Sequence, residues 1–272
     1  MPFEITPESF ERFVQERRYL YNVSPNTETI YRNAWANWLK YGPEPLGFVR
    51  GMREAGKNAI GCNMHIRSLN AFFRWAGQPT MKRLKEEDKI PPTFGAADVQ
   101  RLIRYKPERT EQREHLLAMT LLDSGLRINE ALSLQKVDVD LDAMLFLVRG
   151  KGRKERYVPF SFELRKRLWR HLSDHPHALI FCTREGRKLQ RRNVLRNVKE
   201  LCIAANVKPP CRLLHSFRHT FAVNYLRNGG SVFHLQRALG HSSLQMSRRY
   251  ANLTTEDLAS MQQKVSLLHV AR

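Results

Sequence analysis

The chain has 272 residues, 42% hydrophobic and 26% charged, enough apolar material to bury two modest cores and too much for an intrinsically disordered chain. Lysine and arginine number 46 against 26 aspartate and glutamate, and a net charge of +20 points to a polyanionic partner, nucleic acid before an acidic membrane. No apolar run is long enough to span a bilayer, and the acidic start MPFEITPESFERF is unlike a signal peptide, so a cytoplasmic, nucleoid-associated protein with no membrane partner is expected.

Thr6-Pro7 is a helix start, with a cap followed by proline at the first helical position. A helix from about Thr27 to Tyr41 sets Tyr31, Trp35 and Trp38 on one face and stops at Gly42-Pro43. Another, from about Asn63 to Ala76, repeats Ile66, Leu69, Phe73 and Ala76 at helical spacing, with Gly77 closing it. The aromatic stripe reads as core. Arg32, Arg67 and Arg74 lie on the polar faces, where they could follow a phosphate backbone. The stretch 78–94, charged and carrying paired prolines, reads as a linker. The organisation expected is a helical domain over 1–79, a linker over 80–94 and a larger domain over 95–272.

The larger domain opens with helices near Ala96–Tyr105 and Arg113–Ser124. The period then changes: MLFLVRG (144–150) and RYVPF (156–160) read as two strands around the basic tip GKGRKE. Helices follow, giving a mainly α fold with a small antiparallel β element. Residues 146–200 hold 16 Lys/Arg and 5 Asp/Glu, so +11 of the +20 falls in about a fifth of the chain. Arg153, Lys154, Arg191 and Arg192 are therefore candidate DNA contacts.

Cys62, Cys182, Cys202 and Cys211 are far apart and form no C-x-x-C pair, which reads as reduced structural thiols. His171, His175 and His177, around Asp174 and Pro176, read as a solvated loop. No metal and no cofactor are expected; GKGRKE also lacks the pattern of a phosphate-binding loop.

Candidate chemistry is scattered along the domain. In LLHSFRHTFAVNYL (213–226), His215, Arg218 and His219 share one helix face opposite Leu214, Phe217, Phe221 and Tyr225. In DSGLRINEALSL (123–134), Glu130 lies one turn from Arg127 and can hold its guanidinium, although a plain helix pair would look the same. In LGHSSLQMSRRYANL (239–253), Gly240 can end a helix and leave His241 on the turn before Tyr250, which alone could be a half-buried aromatic. Together these residues fit transesterification at a phosphodiester. Two arginines can clamp the non-bridging oxygens, a histidine can move protons, and a tyrosine can attack phosphorus.

Arg127 in SGLRINE, Lys151 in GKGRKERYVP, His215 and Arg218 in HSFRH, His241 in LGHSS and Tyr250 in RRYANL resemble the signature of the tyrosine recombinase (phage integrase) family. Order and spacing also match: 24 residues from Arg127 to Lys151, 23 from Arg218 to His241 and 9 from His241 to Tyr250. SGLR stands where TGLR is commoner, a swap that keeps small size and a hydroxyl. The resemblance covers the second domain motif by motif and likens the first, more loosely, to the family's SAM-like core-binding domain. It implies that Tyr250 forms a 3′-phosphotyrosyl link, Arg127 and Arg218 clamp the phosphate and Lys151 protonates the leaving 5′-oxygen. His215 would assist proton transfer and His241 would bond the phosphate. Glu130 would support the first arginine, with His219 in a supporting or structural position.

The resemblance further implies metal- and ATP-independent strand exchange on a double-stranded DNA site, by a homo-tetramer that is a monomer or weak oligomer when free. A second recombinase or an accessory DNA-bending protein is a further candidate partner. With no arm-binding domain expected ahead of the first helical one, a simple Xer-like enzyme or small mobile-element integrase fits. In the tail, Thr254 and Asp257 can cap a helix whose stripe is Leu258, Met261, Val265 and Leu268. It would dock on a neighbouring protomer or pack on its own domain. The alternatives are a type IB topoisomerase-like enzyme and a catalytically vestigial DNA-binding protein.

Overall fold

The structure is a computed structural model and describes residues 4–86, 91–150 and 155–240, together with Tyr250. The chain divides into two compact units, Met1–Lys89 and Ile90–Arg272. Among the described residues, no helix is long and apolar enough to cross a membrane.

The first unit is four helices: α1 (Pro7–Tyr19), α2 (Pro25–Tyr41), α3 (Pro45–Glu54) and α4 (Ala59–Trp75). Proline opens three of them, where its missing N–H costs no helical hydrogen bond. Thr6, Ser24 and Asn58 cap α1, α2 and α4 through side-chain oxygens. Phe10, Phe13, Trp35, Trp38, Phe72 and Phe73 fill the core, with Phe10 stacked on Trp35 at 4.8 Å and set edge-on to Phe72 at 5.3 Å.

The expected linker is shorter than 80–94. Asn70 exchanges two 2.8 Å hydrogen bonds with the backbone of Met81, and Asn63 does the same with Leu84. Residues 81–84 are thereby fastened along α4, with Met81 buried in the first core. At the other end Phe94 is buried in the second core, its N–H donating to Thr220 Oγ1 at 2.9 Å. Hydrogen-bonding side chains that face the strap from α4 and from Thr220 override the linker-like composition.

The second unit begins with α5 (Ala96–Arg104), α6 (Gln112–Ser124) and the single turn α7 (Ile128–Ala131). The strands β1 (Val139–Asp140), β2 (Leu145–Arg149) and β3 (Glu155–Pro159) form an antiparallel sheet in that order, and β1 was not legible from the pattern. Phe146 and Val148 of β2 and Val158 of β3 point into the core. Four helices follow: α8 (Phe162–Ser173), α9 (Arg191–Ala204), α10 (Leu213–Arg227) and α11 (Val232–Leu239). Helix α6 is buried along most of its length and packs against α8, α9 and α10. The architecture is mainly α with one small antiparallel sheet.

The histidine cluster is not a solvated loop. Nε2 of His171, His175 and His177 bonds the carbonyls of Ile180, Leu179 and Arg184 at 3.1, 2.7 and 2.9 Å. Those bonds pin the α8 end to the segment that follows it. Among the described residues, no group of three or more His, Cys, Asp or Glu is placed to hold a metal ion.

Candidate active site

The site grows from the C-terminal end of α6. Gly125 takes φ +64°, and a Cβ there would stand 2.3 Å from Phe221 Cδ1 and 2.9 Å from Leu239 Cδ2. Only glycine fits both the left-handed backbone and the close approach. The turn sends Arg127 out in an extended conformation at the start of α7, where Glu130 accepts its N–H at 2.8 Å and its Nη1–H at 2.9 Å.

Glu130 holds a second arginine as well. Arg156 donates through Nη1 and Nη2 to its two carboxylate oxygens at 3.0 and 2.9 Å, and through Nε to the Ala238 carbonyl at 2.9 Å. Burial acts most strongly on Glu130 and works upward. The bonds from Arg156 and from the Arg127 N–H and guanidinium outweigh it and hold the carboxyl below its ordinary range.

Three arginines meet at the C-terminus of α11, whose last carbonyls have no acceptor role inside the helix. Arg127 reaches Leu239 O at 3.2 Å and Gly240 O at 3.3 Å. Arg218 reaches Leu239 O at 2.6 Å and Gly125 O at 2.8 Å, and Arg156 takes Ala238 O. The negative end of the helix dipole favours this gathering of cations. Among the described residues, three guanidiniums gather here around one carboxylate, Glu130, which pairs with Arg127 and Arg156, so the cluster carries a surplus of positive charge suited to an anion. Arg127, with 39% of its side chain exposed, is the member open to an incoming ligand; Arg218 is 5% exposed. Burial, then Arg127, lowers the Arg218 pKa to about 10, which leaves it protonated at neutral pH. Each of its bonded nitrogens keeps a second N–H.

Next to Arg218 on α10, His219 carries the tyrosine contact. Tyr250 is 6% exposed and packs with Ala222, Val223, Leu235 and Leu239. Its hydroxyl lies 2.7 Å from His219 Nδ1. His215 is exposed overall, and its Nε2 lies 3.3 Å from Arg191 Nη2. Arginine can only donate, so that nitrogen is the acceptor and the neutral ring carries its proton on Nδ1. Desolvation of the ring, then Arg191, Arg212, Arg218 and Arg127, hold His215 below its ordinary pKa.

The phage integrase family model matches residues 93–257. Over 276 residues the chain is 32% identical to the tyrosine recombinase XerA of Thermococcus kodakarensis, covering 96% of this chain and 95% of that one. The chain belongs to the phage integrase family. It is a tyrosine-type site-specific recombinase. It is also 26% identical to the tyrosine recombinase XerD of Oceanobacillus iheyensis, over 96% of this chain and 97% of that one. The fold matches the Tn1549 transposon integrase, solved in complex with transposon right end DNA, with a TM-score of 0.73. Identity there is 19%, covering 94% of this chain and 98% of that one.

In this recombinase Arg127, Glu130 and Arg218 converge on one helix end, and His219 meets Tyr250. Lys151, Arg153, Lys154, His241 and the tail at 254–272 lie outside the described residues. Arg67 and Arg74 are exposed on α4, and Arg191 and Arg192 are exposed at the start of α9. Arg32 is not an open cation. Its Nη1 and Nη2 donate to Glu11 at 2.7 and 3.1 Å and its Nε to Glu28 at 3.0 Å, which ties α2 to α1. The Glu11 bonds, ahead of the opposing desolvation, raise its pKa.

Arg156 was missed by sequence reasoning, and a signal for it existed. It shares the strand face of Val158 and Phe160, both buried, and an arginine at an inward position needs a buried partner.

Proposed function

We propose that this recombinase cleaves and rejoins double-stranded DNA through a 3′-phosphotyrosyl intermediate on Tyr250. The arginine-lined end of α11 is the observation that carries the reading: it is a rigid, cationic seat for a phosphate, held by backbone carbonyls and Glu130. Tyr250 attacks phosphorus, Arg127 and Arg218 stabilise the charge that develops on the non-bridging oxygens, and His215 assists proton transfer. Lys151 protonates the leaving 5′-oxygen and His241 bonds the phosphate. The energy of the phosphodiester stays in the tyrosyl bond, so a 5′-hydroxyl from a partner strand reverses the attack without ATP.

Exchange takes place in a homo-tetramer on DNA, with the tail at 254–272 docked on a neighbouring protomer. Arg67, Arg74, Arg153, Lys154, Arg191 and Arg192 contact phosphates. Incubating the protein with fragmented genomic DNA and denaturing in detergent should leave a covalent protein–DNA adduct whose attached ends give the target sequence. Tyr250→Phe should leave none; an adduct that survives this change removes Tyr250 as the nucleophile.

A further inference from the structure

We propose that His219, through Nδ1, accepts the proton of the Tyr250 hydroxyl as Tyr250 attacks phosphorus. This rests on the reading of Tyr250 as the nucleophile. Nδ1 and Oη are 2.7 Å apart and the ring centroids 5.6 Å, so the proton has a direct path with no bridging water. The two residues are 31 positions apart, and the apolar packing around Tyr250 keeps its ring in place.

His215, one helical turn away with its ring 6.5 Å from that of His219, has its Nε2 turned to Arg191. His219 is neutral and able to accept. Burial first, then His215 and Arg218 of the same helix and Arg212 at its N-cap, push its pKa down to about 4. Those neighbours are neutral or cationic, and among the described residues the Tyr250 hydroxyl faces the ring from outside α10 at hydrogen-bond distance. A bound phosphodiester places negative charge beside Arg218 and Arg127, offsets their effect on the ring and makes it a stronger base when substrate is present.

In the step, the Oη–H bond breaks and the proton passes to Nδ1 while the Oη–P bond forms and the P–O5′ bond breaks. The leaving 5′-oxygen takes its proton from Lys151. In the reverse step the imidazolium returns its proton to the departing phenolate, and the ring is neutral again.

The test uses full-length protein and a nicked duplex carrying the sequence recovered by adduct capture. His219→Asn keeps a hydrogen-bonding group near the position of Nδ1 but cannot take a proton. It should slow adduct formation by roughly 10²-fold, the lower range for a positioned acid or base, with DNA affinity unchanged within about 2-fold. Its rate should climb with pH between roughly 6 and 9, a rise that wild type should share far less because its ring supplies the base. Imidazole in the buffer should restore part of the rate to His219→Ala. With sulfur in place of the leaving oxygen, which needs no protonation, the His219→Asn defect should remain.

The proposal is overturned if His219→Asn matches wild type at every pH, if its loss follows DNA affinity, or if the sulfur substrate restores it. A dead Tyr250→Phe beside an unimpaired His219→Asn overturns this proposal alone. An adduct in Tyr250→Phe overturns the reading beneath it.

Discussion

Replacing Arg156 with methionine keeps most of the side-chain volume and removes three charge-assisted hydrogen bonds, two to Glu130 and one to Ala238 O. Charged hydrogen bonds contribute about 1.5–3 kcal/mol each, which sets an upper limit of roughly 4–9 kcal/mol. Glu130 keeps its bonds to the Arg127 N–H and guanidinium, and the exposed Arg127 side admits water, so the cost settles near 3 kcal/mol, the low end for breaking a buried pair. For a unit of this size that is a fall in Tm of roughly 6–12 °C.

The loss depends on pH with a definite sign. Glu130 is held below its unfolded value of 4.5, so its ionised form stabilises the fold above that pH, and the contribution is lost as pH falls through the lower folded value. The gap between wild type and Arg156→Met should be widest above about pH 4.5 and close below it. Thermal unfolding of both proteins across this range reads the gap, and single-turnover cleavage reports whether Arg127 has lost its support. A Tm drop under about 2 °C with a wild-type cleavage rate would refute the role given to Arg156.

Two further expectations concern the scaffold. Gly125→Ala meets both the left-handed backbone and Phe221, and should cost roughly 2–5 kcal/mol in urea unfolding. Gly240→Ala has the same backbone strain, but its Cβ would stand 3.1 Å from the Arg156 guanidinium rather than 2.3 Å from a packed ring, and should cost less, roughly 1–2 kcal/mol; equal losses would contradict the packing argument. Arg32→Ala should lower thermal stability while leaving the salt dependence of DNA binding unchanged. Arg67→Ala or Arg74→Ala should each reduce that salt slope by about 1 with little change in stability, and the opposite ranking would return Arg32 to the DNA surface.

Where a residue's partner lies nearby in sequence, the fold and site were legible. The start of α1 follows from a capped proline, α2 and α4 from apolar spacing and glycine stops, and Arg127–Glu130 from a separation of one turn. Strands β2 and β3 follow from alternation, but the two-residue β1 is too short to carry a period. What stayed hidden depends on distant pairing. Asn63 and Asn70 look like ordinary polar helix residues until the 81–84 strap lies against them. Arg32 looks like a free cation until α1 brings Glu11 to it across 21 positions. His219 follows Arg218 directly and would rank as structural on its own helix; the contact that changes its standing is with a residue 31 positions on.

Arginine rather than lysine at 127, 156 and 218 follows from the same geometry. Each of these side chains bonds two or more acceptors in different directions, carboxylate and carbonyl or carbonyl and carbonyl, and still has N–H groups left over. A lysine could hold one acceptor as a point charge but could not brace a helix end and face a phosphate together. The α11 carbonyls thus serve as the ruler for the site: they fix three guanidiniums at one place, and position 241 follows on the chain directly. Beside Glu130, the support comes from backbone acceptors, which no side-chain substitution removes, so the arrangement depends on Gly125, which lets its turn approach Leu239, and on Gly240, which leaves room for the Arg156 guanidinium. Mutations at those glycines should therefore harm cleavage more than changes to the apolar residues around them with equal cost in stability.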